Sequence, residues 1–256
     1  MLYRAKEIEG YKLSSLDGEI GKAEDFYFDD NVWTIRYLVA NTGNWLAGRQ
    51  VLISPHALTG VNRIGQTIAV DLTKDKIKNS PSPDTDKPIS RQFENNYNGY
   101  YEWPGYWGGP YNLDSSPYIS HECDNSRNWA AGGTDFDPHL RSTGQVTGYH
   151  VKASDGAIGH IEDFIIDDKT WAIRYLIVDT NNWLPGKRVL ISPQWIQSIG
   201  WAESSVFFNL PRETVKIAPE YIRDSPLSRD YENRLHGHYN RKGYWVDEPV
   251  GGMLVF

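Results

Sequence analysis

Residues 43–55 read GNWLAGRQVLISP, and residues 181–193 read NNWLPGKRVLISP. The two stretches lie 138 residues apart, and the same offset holds without a gap when Tyr11 to Trp107 is aligned with Tyr149 to Trp245. A repeat of this length is too long for a solenoid unit of about 20–50 residues, and each copy is large enough to hold its own core. The sequence therefore predicts two homologous domains.

The repeat sets the predicted domain organisation. The first domain spans residues 1–109 and the second spans residues 140–249. Residues 110–139 are rich in Gly, Pro, Ser, Asn and Asp, which is typical of a linker, and their aromatic residues predict that this linker lies along the domains. Residues 250–256 remain as a C-terminal tail.

Each copy has the pattern of a small β structure. The turn signals Asp17-Gly18 and Asp155-Gly156 precede runs that are rich in aromatic and β-branched residues. TIRYLVA at 34–40 and AIRYLIV at 172–178 then alternate in the manner of strands. Five or six short strands per copy predict a small barrel or sandwich.

Two helical segments are predicted at the end of each copy. Residues 73–79 and 212–217 have the pattern of a short helix that ends before a proline. Ser90 and Ser228 are predicted N-caps of a second helix. The predicted fold is therefore mainly β, with two homologous small barrels that are each followed by one or two short helices.

The shared pattern DGxIGxxEDFxxDDxxWxIRYLxxxTxNWLxGxxVLISP resembles the PRC-barrel family. Residues 137–151, DPHLRSTGQVTGYHV, resemble the segment that opens the domain in free-standing bacterial tandem members. The resemblance covers both copies and implies a small, closed or nearly closed antiparallel β-barrel in each. The family includes the cytoplasmic domain of the photosynthetic reaction-centre H subunit and the C-terminal domain of a ribosome maturation factor.

The resemblance implies a binding role. Members of the family are mostly adaptor or scaffold modules with different partners, and a fold alone does not set a function. The reaction-centre subunit has a membrane helix ahead of its barrel, and this sequence has none. The ribosome factor has a different N-terminal domain, where this chain has a second copy of the barrel.

Composition narrows the possible partners. The net charge of −7 and the pI of about 5.5 argue against nucleic acid bound on a broad basic face and against electrostatic attachment to an anionic membrane. The single cysteine, Cys123, excludes an intramolecular disulfide. With no secretory signal and no long apolar window, we expect a soluble cytoplasmic protein without membrane insertion.

Paired carboxylates recur in both copies, at 24–25 and 162–163 and again at 29–30 and 167–168. Adjacent residues on a strand point to opposite faces, so they cannot share one substrate. The hairpin around residue 30 is predicted to place Asp25 opposite Arg36, and the offset then places Asp163 opposite Arg174, as structural cross-strand pairs. We expect no catalytic residues, no cofactor and no enzyme activity.

Two groups of residues could ligate a metal. His121, Cys123 and Asp124 lie together in the linker, but one short cluster is a weak signal for a site. His236 and His238 could also ligate, although the first copy has Asn and Tyr at the matching positions. No metal site is predicted from either group.

The repeated NWL triplet supplies the candidate contact residues, Asn44 and Trp45 with Asn182 and Trp183. A Trp in a loop offers a large apolar area and one N–H donor to a partner. Alternatively, each ring packs on its own barrel or on the following helix, or the two rings meet between the copies, since a tandem repeat can imitate a two-fold homodimer.

The leading hypothesis is a cytoplasmic adaptor that binds an unknown protein partner, with homo-oligomerisation or pseudo-two-fold pairing of the barrels as possible assemblies. Three alternatives stay open. The protein could be a peripheral component of a photosynthetic or respiratory electron-transfer assembly. It could be an enzyme or metal protein that uses the linker cluster. It could also be a factor in ribosome or RNA metabolism, although its acidic charge disfavours direct RNA binding.

Overall fold

The computed structural model of the chain describes residues 1–46, 49–83, 89–103, 139–180, 186–223, 225 and 227–246, with the backbone alone at 91 and 92. Within these residues the chain forms two seven-stranded sheets and a few short helices. The mainly β fold predicted from the sequence is confirmed.

Among its described residues, the first copy contains ten elements and one 3-10 turn, at Pro55–Ala57. The elements are β1 (Leu2–Arg4), α1 (Ala5–Ile8), β2 (Lys12–Ser15), β3 (Gly18–Asp29), β4 (Thr34–Asn41), β5 (Val51–Ile53), β6 (Leu58–Asn62), β7 (Thr67–Val70), α2 (Lys74–Lys78) and α3 (Arg91–Tyr101).

The second copy repeats this order, with 3-10 turns at Pro193–Trp195 and Tyr244–Val246. Its elements are β8 (Leu140–Ser142), α4 (Thr143–Val146), β9 (His150–Ala153), β10 (Gly156–Asp167), β11 (Ile173–Asp179), β12 (Arg188–Ile191), β13 (Ile196–Gly200), β14 (Ser205–Phe208), α5 (Arg212–Lys216) and α6 (Arg229–His238).

Local chemistry explains where several elements begin and bend. Ser90 Oγ accepts a hydrogen bond from Phe93 N at 3.0 Å, and Ser228 Oγ accepts one from Tyr231 N at 3.2 Å, so both predicted N-caps are confirmed. Each long strand contains a glycine that faces the backbone of the next strand. A Cβ on Gly21 would lie 2.1 Å from Asn41 O, and a Cβ on Gly159 would lie 1.9 Å from Asp179 O. The glycine therefore permits the close approach of the two long strands.

The strand order is the same in both sheets. It runs β5-β4-β3-β2-β7-β6 in the first and β12-β11-β10-β9-β14-β13 in the second. Neighbours are antiparallel as predicted, apart from the parallel pairs β2–β7 and β9–β14. Among the residues that the structure describes, the strands at the two ends of each order are not paired with one another.

Each sheet also contains a strand from the other copy. β1 pairs with β10, where Leu2 lies opposite Asp167, and β8 pairs with β3, where Leu140 lies opposite Asp29. The reason is length, because β3 and β10 have 12 residues each while β2 and β9 have 4 and cover only the first half of the long strand. The predicted ranges 1–109 and 140–249 therefore exchange one strand with each other.

The predicted cross-strand pairs are wrong in register. Asp25 lies opposite Val39 rather than Arg36, and Asp163 lies opposite Ile177 rather than Arg174. The four-residue loop at 30–33 is centred one residue later than predicted, because Trp33 adopts a positive φ and its N–H donates to the Asp29 carbonyl.

A β-bulge then shifts the pairing by one more position, because Arg36 of β4 and Arg174 of β11 are extra residues without an opposite partner on the long strand. As a result, each arginine forms its ion pair with the first aspartate of the hairpin. The distance is 3.6 Å for Arg36 and Asp29, and 2.9 Å for Arg174 and Asp167.

The apolar residues of the two copies form one hydrophobic cluster. β4 and β11 are buried along almost their whole length. Helices cover these strands through contacts such as the edge-to-face pair of Tyr37 and Tyr97, with ring centroids 5.4 Å apart. No helix within the described residues is long and apolar enough to cross a membrane.

Candidate functional surfaces at the junction of the copies

The free edge of each long strand forms a binding slot for a strand. We define the β3 slot as the edge of Tyr27–Asp29, which β8 occupies, and the β10 slot as the edge of Ile165–Asp167, which β1 occupies. Main-chain pairing of this kind is the mode by which many domains bind an extended peptide. A short helix follows directly after each inserted strand, so each slot holds a strand and the start of a helix.

Asp25 binds the helix that follows β8. Its Oδ1 accepts hydrogen bonds from Thr143 Oγ1 at 2.9 Å and from Gly144 N at 3.1 Å, and its Oδ2 accepts one from Ser142 Oγ. A carboxylate at the N-terminus of a helix satisfies N–H groups that have no partner within the helix. Asp25 therefore links the first copy to the second through three donors.

Asp163 makes the equivalent contact with the helix that follows β1. Its Oδ1 accepts hydrogen bonds from Lys6 N at 3.1 Å and from its own neighbour Phe164 N at 2.8 Å. Among the described residues, its buried Oδ2 has no hydrogen-bond partner. Burial raises the pKa of the Asp163 carboxyl above its ordinary value.

The second aspartate of each hairpin contacts the inserted strand. Asp30 Oδ1 lies 2.8 Å from His139 Nδ1, and Asp30 Oδ2 accepts a hydrogen bond from Arg141 Nε at 3.1 Å. Burial raises the pKa of Asp30, although both of these partners act in the opposite direction. Asp168 stands at the matching position and contacts the Met1 nitrogen. The second carboxylate of each repeated pair thus contacts the other copy and serves the assembly of the two copies.

A pseudo-two-fold axis passes between the two hairpins. Thr34 pairs with its counterpart Ala172 in an isolated antiparallel bridge. Ile35 N donates to Trp171 O at 2.8 Å, and Ile173 N donates to Trp33 O at 2.7 Å. Aromatic rings pack around this bridge, with Phe26 and Trp171 centroids 6.4 Å apart and Phe28 and Phe164 centroids 6.0 Å apart.

One further acidic group lies near the slots. Burial, followed by the charges of Asp163 and Asp25, raises the pKa of Glu9 to about 7. Glu9 follows α1, the helix capped by Asp163. The matching residue in the second copy is Thr147, whose hydroxyl donates to Thr143 O at 2.9 Å.

A buried polar network joins α6 to the second barrel. Glu232 Oε1 accepts hydrogen bonds from the Tyr175 and Tyr244 hydroxyls, both at 2.9 Å, and Arg229 lies 3.1 Å from Oε2. The Tyr175 oxygen is also 2.9 Å from His236 Nε2. Burial raises the pKa of Glu232 and lowers that of His236. Glu232, Tyr175, Tyr244 and His236 are buried and bind each other, so the network holds α6 in place.

An open cleft lies beside the first barrel at the junction. Residues of β4, the turn at 54–56 and α3 line one side, and Lys169, Thr170 and Trp171 of the second copy line the other. The cleft includes the cationic side chain of Arg36 and the ring of His56, whose pKa is lowered by burial and by Arg36. Both copies are needed to form it.

A comparison with known protein families supports the fold. The family model described as PRC-barrel domain matches residues 1–77 and 148–202, more than half of the 256 residues. The chain belongs to the PRC-barrel domain family. Both copies of the repeat are matched, so the resemblance seen in the sequence is confirmed. No curated protein matches the chain.

The candidate contact loop of the first PRC-barrel copy follows β4. Asn44 is exposed, and Trp45 is half-buried against the core. Lys74 of α2 places its Nζ 5.8 Å from the centroid of the indole ring. The matching residues Asn182 and Trp183 lie outside the described residues, so the predicted role of the two loops stays a prediction.

The predicted metal candidates fall into two groups. The linker cluster of His121, Cys123 and Asp124 lies outside the described residues. His236 binds within the Glu232 network, while His238 Nε2 is 2.8 Å from Thr214 O. In the part of the chain that the structure describes, no group of three His, Cys, Asp or Glu residues is placed to hold a metal ion.

The two slots and the Glu232 network of this PRC-barrel protein are not among the features predicted from the sequence. The long run from residue 18 to 29 has no turn signal inside it, and this feature indicates that β3 continues beyond β2. The buried Glu232 carried no comparable signal, because a Glu in the first turn of an amphipathic helix is ordinarily exposed.

Proposed function

We propose that this PRC-barrel protein is a non-enzymatic binding or adaptor protein that acts through protein–protein contacts in the cytoplasm. Membership of the PRC-barrel domain family supports a binding or adaptor module. The observation that carries the proposal is the use of the repeated carboxylates. Asp25 and Asp163 cap helices of the opposite copy, and Asp30 contacts its inserted strand. One carboxylate of each recurrent acidic pair that an enzyme could have used is thus engaged in assembly.

The loop of Asn44 and Trp45 is the surface that we assign to the outside partner, together with its counterpart at Asn182 and Trp183. Asn44 is exposed and offers both a donor and an acceptor. Trp45 retains part of its ring in solvent, and indole rings are frequent at the centres of protein interfaces. An apolar ring with a neighbouring amide is suited to a protein surface of mixed polarity.

Site-specific photocrosslinking in the native cell tests this proposal. A photoreactive amino acid at Asn44 should yield a discrete crosslinked species, whereas the same group at the exposed Glu203, in the hairpin between β13 and β14, should not. The absence of any product specific to position 44 would contradict the proposed contact surface. Identification of the captured protein distinguishes a free adaptor from a component of an electron-transfer assembly or of a ribosomal pathway.

Substitution of the ring provides a second measurement. Trp45→Ala should abolish the crosslink from position 44, and Trp45→Phe should retain it in part, because phenylalanine keeps apolar area but has no N–H donor. Circular dichroism of both variants checks that the barrel is intact. If the two variants and the protein with Trp45 give equal crosslinking from position 44, Trp45 does not contact the partner.

A further inference from the structure

The two slots are equivalent under the pseudo-two-fold axis. Gly144 N donates to Asp25 at the first slot, and Lys6 N donates to Asp163 at the second, both at 3.1 Å. Asp30 N donates to His139 O at 2.9 Å. The equivalent hydrogen bond in the other slot runs from Asp168 N to Met1 O and has a length of 3.0 Å. A surface that meets its own counterpart in this reciprocal way has the geometry of a two-fold dimer interface.

The contacts at the slots join one half of the chain directly to the other. The slot contacts described above link residues 1–41 with residues 139–180. Main-chain pairing, charge-assisted helix capping and aromatic packing all occur at this junction. Such contacts do not need a covalent connection between their two sides.

We propose that the β3 slot and the β10 slot are module-pairing sites whose partner is the N-terminal strand and short helix of another PRC-barrel module. The module that supplies this segment can belong to a separate chain, so the two halves of this protein associate without their covalent link. The inference concerns the pairing of modules and does not depend on the outside partner proposed for the Asn44 loop.

Side chains make the β3 slot selective for the segment of the second copy. Asp25 receives hydroxyl donors from Ser142 and Thr143, while the matching residues of the first copy, Arg4 and Ala5, have no hydroxyl. Asp30 likewise binds Arg141, whereas the first copy has Tyr3 at that position. The first half therefore pairs better with the second half than with another copy of itself.

The test uses the full chain with a protease site inserted between Ser115 and Ser116. The folded protein is cleaved, cleavage is verified by mass spectrometry, and the mass in solution is measured by light scattering at micromolar concentration. The cleaved halves should migrate together at the mass of the intact chain. Separation of the wild-type halves into two smaller species would overturn the proposal.

Two substitutions locate the interaction. Asp25→Ala should weaken the association of the cleaved halves by about tenfold or more, because three donors of the other half lose their acceptor. Glu24→Ala is the matched control, since this exposed neighbour accepts a hydrogen bond from Asn41 Nδ2 of its own copy at 3.5 Å.

Asp25→Asn keeps the size of the side chain and serves if the alanine variant does not fold, which circular dichroism of the uncut chain reveals. The asparagine variant should also weaken the association relative to Glu24→Ala. Equal association of the slot variants and the control would show that the slots do not carry the pairing.

Discussion

Asp25 and Asp163 occupy the same position of the repeat, yet their surroundings differ. Both accept an N–H from a helix of the opposite copy. Asp25 also receives two hydroxyl donors, from Ser142 and Thr143, whereas Asp163 is more buried and its Oδ2 has no partner among the described residues. The backbone arrangement is thus shared by the copies, and the side chains of the inserted segment decide how strong each slot is.

Both copies also contain a cation–π contact at the same place in the fold, but the positions of the arginine and the aromatic ring are exchanged between the copies. In the first copy, Arg63 places its guanidinium carbon 4.8 Å from the Tyr3 ring centroid. In the second, Arg141 lies 4.2 Å from the ring of Trp201. The offset aligns Tyr3 with Arg141 and Arg63 with Trp201, so each cation stands where the other copy has a ring. A cation–π contact is retained although both residues differ.

The largest effect is expected from the substitution of Trp171, because this residue packs at the junction between the copies. Trp171 is almost fully buried and packs against Phe26 of the other copy, so Trp171→Ala should lower the free energy of unfolding by about 3–5 kcal/mol. Urea denaturation followed by circular dichroism measures the change. Trp201→Ala is the control, because that half-buried ring lies in a hairpin tip and should cost clearly less. Equal costs would remove Trp171 from the junction.

Substitution of the two capping aspartates tests the difference between the slots. Asp25→Ala should lower the free energy of unfolding by about 2–3 kcal/mol, because charge-assisted hydrogen bonds to three donors are lost. Asp163→Ala should cost about 1 kcal/mol less, since it also removes a buried oxygen without a partner. Thermal and urea unfolding of both variants give the comparison. A larger loss from Asp163→Ala would reverse the assigned order of the slots.

Converting His236 to its counterpart in the first copy tests what the imidazole contributes to the Glu232 network. His236→Asn, the residue found at position 98, should cost about 1–2 kcal/mol at pH 7.5, because the contact with the Tyr175 hydroxyl changes.

Burial lowers the pKa of His236 in the folded state. The native protein therefore loses stability as the pH falls through the ordinary histidine pKa of about 6.5, where the unfolded state takes up the proton. The asparagine variant lacks this loss, so the gap between the two proteins should narrow below that pH in urea titrations. A gap that is independent of pH would contradict the buried, neutral state of the ring.

Giving the β10 slot a hydroxyl should make it resemble the β3 slot. The counterpart of Arg4 in the second copy is Ser142, whose hydroxyl donates to Asp25 Oδ2. Arg4→Ser should therefore supply a donor to Asp163 Oδ2. A gain of about 1 kcal/mol in the free energy of unfolding is expected. Arg4→Ala is the matched control and should not show the gain, since it removes the arginine without adding a donor. Equal stability of the two variants would refute the explanation.

The smallest effect is expected at Glu9 and depends on pH. The pKa of Glu9 is raised to about 7 in the folded protein, above the value near 4.5 of a free glutamate, so the folded state binds the proton more tightly. The stability contributed by this group therefore decreases as the pH rises from about 4.5 to 7.

Glu9→Thr, which introduces the counterpart residue, should stabilise the protein by about 0.5–1 kcal/mol at pH 8 and by almost nothing at pH 4.5, after allowance for solvent screening of this half-exposed group. Glu203→Thr, the same exchange at an exposed position, is the matched control. The same gain at both pH values would contradict the assignment of the shift to Glu9.

Much of the fold followed from local patterns. The repeat, the turn signals and the alternation of TIRYLVA and AIRYLIV placed β4 and β11, and Ser90 and Ser228 marked the helix starts. The register of the hairpin did not follow, because bulges and the positive φ of Trp33 depend on how the strand packs. A register error of a few residues is enough to assign Arg36 to the wrong aspartate.

The sequence by itself determined two homologous PRC-barrel copies, because turn residues, side-chain alternation and capping residues act over a few neighbouring positions. Only the tertiary structure decided that each copy inserts its first strand into the sheet of the other copy. The same is true of Asp25 and Asp163, which cap helices about 120 and 160 residues away. It is also true of Arg63 and Arg141, which contact aromatic rings at exchanged positions of the repeat. These contacts join residues that are far apart in the chain. Their partners are set by the length of β3 beyond β2 and by the two-fold packing of the copies, which no local pattern encodes.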